Sequence, residues 1–386
     1  MAQVYSSQEM LAKLVSFPTV SRDSNLELID FIRDYLGEYG VESRLVPNED
    51  GRKANLYATV GPATEGGVVL SGHTDVVPVD GQDWTSDPFT VQERGGLLYG
   101  RGTADMKAFS AIGLAHVPQM VKAGMKKPIH FALSYDEEVG CLGAPSMIRE
   151  IAANVPRPRA VFVGEPTMMK VVTGHKGIIG FTTHVTGHSV HSCQIDRGVS
   201  AVHVAARLIT YLDDMLEENM RRADPENPFD PPFTTLHCGT VEGGTAHNIV
   251  AKECYFRTDI RAVAGEDPRD YYDRYQAYIE NEIVPKMRKV APEAGVRLNP
   301  ISYVPGLKPE PQGEAERIAR GLTGDNGTNV VSYGTEAGQF QDVGFSVVVC
   351  GPGSIDQAHQ PDEFISVDQM RAGDAFLDGL IEDLRH

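Results

Sequence analysis

Apolar side chains near the start of the chain recur three and four positions apart, as in Leu26, Ile29 and Ile32, until Leu36, Gly37 and Gly40 break the pattern. Residues 8–16 and 26–36 are therefore expected as two opening helices. Short apolar runs follow at 41–46, 55–60 and 68–71, then a helical period after Asp105 through Ala108, Ile112 and Ala115, a strand at 129–135, a helix at 144–153 and a strand at 160–163. Strands alternating with helices of this length predict an α/β fold around a mostly parallel sheet covered on both faces.

The texture changes near Gly177. Residues 178–185 alternate, 199–216 have helical period, and 234–239 and 253–261 read as strands; a charged periodic stretch at 268–290 and a strand at 296–304 complete the order. Strand, helix, strand, strand, helix, strand describes a small α+β unit with two helices on one face of its sheet. After Pro305 the α/β texture returns with 330–333, 345–350 and a final helix from Val367 to Leu384. Two descriptions fit: three successive domains, or one sheet (1–176 and 306–386) interrupted by an inserted module at 177–305. The second requires chemical residues on both sides of the insert to converge.

Composition narrows the partners. Lys+Arg number 35 against 53 Asp+Glu, a formal charge of -18, which disfavours nucleic acid. No apolar run approaches the roughly 20 residues of a membrane span, and the first 20 residues lack the layout of a signal peptide. The five cysteines contain no CxxC pair and read as reduced thiols, so the cytoplasm is the expected location.

Candidate chemistry lies at the ends of apolar strands or in Gly-rich turns, where ligands of open α/β sheets gather. His73 stands in VVLSGHTD, Asp105 in YGRGTADMKA, Glu137 and Glu138 in ALSYDEEVG, Glu165 in VFVGEP, and His359 in GPGSIDQAHQPDE. Imidazole nitrogen with carboxylate oxygen suits zinc, and a carboxylate is the natural bridge between two ions. Asp75, two residues beyond His73, is expected to accept a hydrogen bond from the ring nitrogen that does not bind metal. Adjacent side chains diverge, so one of Glu137 and Glu138 is expected to bind metal and the other to move a proton.

Taken with VTGHSVHS, GGTAHNIV and RTDIRAV, these words resemble the M20 metallopeptidase family in family order over nearly the whole chain. The resemblance implies a di-metal hydrolase whose ions, Zn2+ with Co2+ or Mn2+ as alternatives, are held by His73 and Glu165 on one side of bridging Asp105 and by Glu138 and His359 on the other. It makes Glu137 the general base, Asp75 the support of His73, and the peptide bond after Asp105 cis. It gives the insert the role of a lid and dimerisation domain whose His191 stabilises an oxyanion in the partner's site of a homodimer. Spacing alone does not choose His191 over His184 or His188; only the word from Gly187 to Ser192 does.

Asn248, Arg261 and Thr335 match family positions that hold substrate. Arg257, four residues earlier on the same strand face, rivals Arg261 as a bidentate partner for a carboxylate. SYGTEAGQFQ resembles the acetylornithine deacetylase members, where a pocket-facing Glu336 would favour a cationic side-chain end. The expected reaction is hydrolysis of N2-acetyl-L-ornithine to L-ornithine and acetate, a step of arginine biosynthesis. A broader N-acyl-amino-acid deacylase or peptidase of the same family is the alternative, and a non-enzymatic binding protein would require a lost ligand or base, none of which is missing.

Overall fold

A computed structural model describes residues 3–386. The chain divides into two compact units. One comprises the described residues through Gly174 together with Pro309–Asn329 and Thr335–His386; the other comprises His175–Lys308 and Val330–Gly334. No helix among the described residues is long and apolar enough to cross a membrane.

The first unit is α/β, built on a large, mostly parallel sheet. Its parallel centre runs Ile129–Ser134, Val68–His73, Ala160–Pro166 and Val347–Gly351, flanked by antiparallel Ala54–Val60 and then Ser43–Pro47. The central strands are buried along their whole length, as continuous Val, Leu and Phe runs require when helices cover both faces. Helix Ser7–Val15 starts in a capping box between Ser6 and Glu9 and buries Met10, Leu11, Leu14 and Val15, the three-and-four spacing read in the sequence.

Helix Lys107–Ala115 is buried over nearly its whole circumference, and close approach to the sheet is made possible by glycine. A Cβ on Gly164 would lie 2.0 Å from the Phe109 ring, and one on Gly72 would lie 2.8 Å from the end of Met106. Both glycines adjoin residues of the candidate site, Glu165 and His73.

The second unit has a four-stranded antiparallel sheet ordered Thr235–Gly243, Glu253–Ala262, Gly177–Thr186, Gly295–Val304. Gly177–Thr186 alternates buried and half-buried residues along its length, so one face packs Phe181 and Val185 against Leu208 and Leu212 of helix Ala201–Arg221 and Tyr275 of helix Pro268–Tyr278. The expected single stretch at 268–290 is instead Pro268–Tyr278, a π turn at Ile279–Ile283 and a short helix Val284–Arg288. Pro285 explains the interruption: it has no N–H to donate, and its ring crowds the preceding turn.

Substituting Gly164→Ala should destabilise the protein by about 1–3 kcal/mol, because neither Phe109 nor the central strand has room to yield. Urea denaturation measures this, and an unchanged midpoint would contradict the packing described.

Candidate metal centre and active site

Because the four central strands are parallel, their C-terminal ends share one edge of the sheet. His73 ends its strand, Glu165 lies next to the end of another, and Glu137 and Glu138 stand in the turn that follows a third, beyond Tyr135 and Asp136. Asp105 precedes helix Lys107–Ala115, with a cis bond to Met106. His359 comes from beyond the insert, after the short turn Ile355–Gln357.

These side chains meet. His73 Nε2 lies 3.0 Å from Asp105 Oδ1 and 3.8 Å from Glu165 Oε1. His359 Nε2 lies 2.9 Å from Glu138 Oε2 and 3.3 Å from Asp105 Oδ2. The two oxygens of Asp105 therefore face different imidazoles, the arrangement a carboxylate adopts between two cations. Glu165 Oε1 is buried without a hydrogen-bond partner, a costly state that a neighbouring cation relieves. The donor set fits two divalent ions.

Distances alone do not separate Glu137 from Glu138. One group of donor atoms within 4.8 Å of one another contains His73, Glu137 and Glu165, and another contains His73, Asp105 and Glu138. Their surroundings differ, however. Glu138 contacts His359, whereas Glu137 Oε1 accepts a hydrogen bond from the Cys141 thiol at 3.1 Å. Nothing in the motif words pointed to Cys141.

Burial lifts Glu137 to about 8 and Glu138 to about 7, with neighbouring carboxylates adding to both shifts. Burial also carries Glu165 well above the usual carboxylate range, reinforced by Asp105. For Asp105 burial acts upward, but hydrogen bonds from His359 and His73 outweigh it and hold the group below its ordinary value. For His73 burial opposes the charged ring, yet Asp105, Glu165 and Glu137 carry it upward. His359 is raised to about 10 by its hydrogen bonds to Asp105 and Glu138.

Asp75 differs from expectation. His73 Nδ1 donates to the backbone carbonyl of Asp75 at 2.8 Å, and the nearer carboxylate oxygen stands 3.7 Å away. The carboxylate instead accepts from the Ser21 hydroxyl at 2.7 Å and from the amides of Glu137 and Glu138 at 3.2 and 3.4 Å. Asp75 thus fixes the His73 tautomer through its main chain and the acidic turn through its side chain.

Glu336 does not face a pocket. It is 1% exposed, and its oxygens accept hydrogen bonds from Ser71 and Ser134 on the central strands. Burial raises its pKa against those two bonds. Thr335 is fully buried, and its hydroxyl oxygen accepts from the amide of Ala337, a donor at the start of helix Ala337–Asp342 that needs an acceptor. Neither side chain is presented to a ligand as expected.

In the second unit His191 is exposed and caps the turn Ser192–Arg197, its Nδ1 accepting from the amide of Cys193 at 3.3 Å. Asn248 is brought beside it: the Ser192 amide donates to the Asn248 carbonyl at 3.0 Å, and His191 bridges Ile249. Arg261 is half-buried, with Nε on Asp259 at 2.8 Å. Arg257 lies on the same face of the strand and is exposed.

Residues 69–383 match peptidase family M20/M25/M40. The chain belongs to this family, and the protein is a hydrolase of the M20 amidohydrolase and peptidase group. Among its relatives, an acetylornithine deacetylase of Pasteurella multocida (strain Pm70) is 34% identical over 377 residues, covering 95% of each chain. One of Proteus mirabilis (strain HI4320) is 34% identical and covers 97% of this chain and 96% of its own. Among solved structures, an M20 family metallo-carboxypeptidase from Sulfolobus solfataricus superposes with a TM-score of 0.76 at 16% identity, covering 99% of this chain and 100% of its own. A dinuclear metal binding peptidase from the M20 family of Bacillus subtilis gives 0.61 at 14%, covering 98% of each. At these identities the structures establish the fold.

Ligation needs deprotonated groups, and Glu138 holds its proton up to about 7 while His359 and His73 hold theirs higher. Because these pKa values are raised, protons compete more strongly as pH falls. Metal uptake at pH 7 should release about one proton or more, and apparent affinity should decline from about pH 8 to pH 6. Calorimetry in buffers of different ionisation enthalpy measures the release; uptake with none would contradict the protonation pattern.

Proposed function

We propose that the protein hydrolyses the acetyl amide of N2-acetyl-L-ornithine, giving L-ornithine and acetate in arginine biosynthesis, with two ions of the Zn2+, Co2+ or Mn2+ class. The observation that carries the hydrolytic reading is Asp105 with one oxygen toward His73 and the other toward His359. The choice of substrate is supported by the deacetylase relatives over nearly the full chain.

His73 with Glu165 would hold one ion and Glu138 with His359 the other, around bridging Asp105. When bound, such ions polarise a carbonyl and make water a better nucleophile at neutral pH. Glu137, whose pKa burial raises, is suited once neighbouring cations ionise it to take a proton from water and return it to the departing amine. Arg261 is suited to the substrate carboxylate through its guanidinium, and Asn248 to a polar group beside His191. The five unpaired cysteines support a cytoplasmic location.

A broader N-acyl-amino-acid deacylase is favoured by one observation: Glu336, the residue expected to select a cationic end, is buried and bonded to Ser71 and Ser134. A panel of N2-acetyl-L-ornithine, N-acetylcitrulline, N-acetylmethionine, N-succinyl-diaminopimelate and a dipeptide, assayed with Zn2+ or Co2+, separates the readings. Preference for N2-acetyl-L-ornithine by roughly tenfold or more in kcat/KM is expected. Equal rates across the acetyl amino acids would favour the broader reading, and no hydrolysis of any member would sink both. Glu137→Gln should keep its metal content while turnover falls by about 10²; loss of an ion would make Glu137 a ligand.

We further propose a homodimer through the second unit, with His191 completing the partner's site as an oxyanion donor. After subunit exchange, each mixed dimer of His191→Ala and Glu137→Gln chains should recover about half the wild-type dimer's rate, because one of its two sites keeps both groups. No recovery in verified mixed dimers would place the action of His191 within its own chain or deny it a role.

A further inference from the structure

We infer that the buried ion pair between Arg101 and Glu363, extended by Gln82, positions His359 against Asp105 and so sets the affinity of the ion assigned to Glu138 and His359. This rests on the two-ion reading above.

His359 is the member of the proposed set with the least local support. His73 and Glu165 sit on fully buried central strands, whereas the His359 side chain is 54% exposed in a loop, and its backbone is left-handed at φ 65°. A non-glycine residue keeps that conformation only where its surroundings impose it. Gln82 does so from one side, its Nε2 donating to the His359 carbonyl at 2.9 Å. Gln82 Oε1 accepts from Arg101 Nη2 at 2.6 Å and from Trp84 Nε1 at 3.0 Å.

Arg101 Nη1 donates to Glu363 Oε2 at 2.6 Å and to the Gln360 carbonyl at 3.3 Å. Glu363 Oε1 then accepts from the amides of Ala104 and Asp105 at 2.8 and 3.0 Å. One continuous path joins the main chain of the bridging aspartate to the main chain of His359.

The residue types suit that task. A carboxylate has lone pairs enough for two amides on one oxygen and a guanidinium on the other. Arginine's rigid fork reaches Glu363, the Gln360 carbonyl and Gln82 together, which a lysine ammonium on its flexible stem would not hold in one geometry. The bland reading is that the pair only stabilises the fold. Arg101 and Glu363 are 1% and 0% exposed, however, and a buried ion pair is on average no more stabilising than well-packed apolar residues. What apolar residues could not supply is the fixed spacing of two hydrogen-bonded loops.

The device is one-sided at Gln82, and that makes it testable. His73 and Glu165 do not touch Gln82, so cutting that link should weaken one ion and spare the other, whereas Glu363 also holds the amide of bridging Asp105. Metal-free wild-type, Glu363→Gln and Gln82→Ala proteins are titrated with Co2+, followed by visible absorption and calorimetry. Wild type should take up two ions in two steps. Gln82→Ala, at the partly exposed rim of the network, should keep the first step within about twofold, lose about 10–100-fold in the second and melt as wild type does without metal, and Glu363→Gln should weaken the second step at least as much. If Glu363→Gln does not fold, Gln82→Ala carries the test. Equal weakening of both steps in Gln82→Ala, or of neither, while wild type binds two ions would overturn the positioning role. Fewer than two ions on wild type would instead overturn the two-ion reading.

Discussion

The carboxylate of Asp105 is shared between two imidazoles, and the surrounding structure is organised by the need to keep it so. Its oxygens can face different partners only if His73 and His359 approach from opposite sides, and these residues come from segments before and after the insert. Main-chain groups set the approach. The Asp75 carbonyl engages His73 Nδ1 and turns Nε2 toward Asp105, and Glu363 holds the Asp105 amide itself. With three further carboxylates crowded around it, the cluster stores unfavourable charge that only cations or protons relieve.

Backbone conformation is unusual around this cluster. Asp136, Cys141, His359 and Asp362 are all non-glycine residues with φ between 53° and 65°; His359 is itself a proposed donor and the others flank one. Each has an identifiable restraint. Lys53 pairs with Asp136 and Gln339 Nε2 donates to the Cys141 carbonyl; Gln82 holds His359, and Thr85 donates to Asp362 from both amide and hydroxyl. Left-handed residues sustained by surrounding bonds are one way a fold aims side chains that a regular strand or helix could not.

The sequence made the large periodic elements and the five metal-type donors legible, because both depend on local pattern: apolar spacing in one case, residue type at a strand end in the other. Strands of three residues, Gln92–Arg94, Leu97–Tyr99 and Phe364–Ser366, are too short to carry a period. Helix Glu314–Thr323 does carry one, in Ala315, Ile318 and Ala319, but it lies in a charged stretch that offered no run of large apolar residues. Asp75 was legible as a neighbour of His73, but whether its carbonyl or its carboxylate makes the contact depends on the tertiary position of Ser21 and the Glu137 amide. Thr335 and Glu336 were read from their motif, and a motif does not reveal that Ser71, Ser134 and Ala337 already occupy their oxygens.

The ends of the inserted unit bear on how so divided a chain finds its fold. His175 bridges Leu307, and a Cβ on Gly177 would lie 2.9 Å from the Gly306 nitrogen, so the module's own entry and exit strands touch. Glu138 and His359 are 221 positions apart in sequence, and a flexible loop of that length would carry a substantial closure entropy. Once the module has folded on its own core, its two ends are already adjacent, and the intervening chain behaves as a much shorter tether. Folding the module first would shorten that tether by more than half, a saving of about 1 kcal/mol given how slowly closure entropy grows with length.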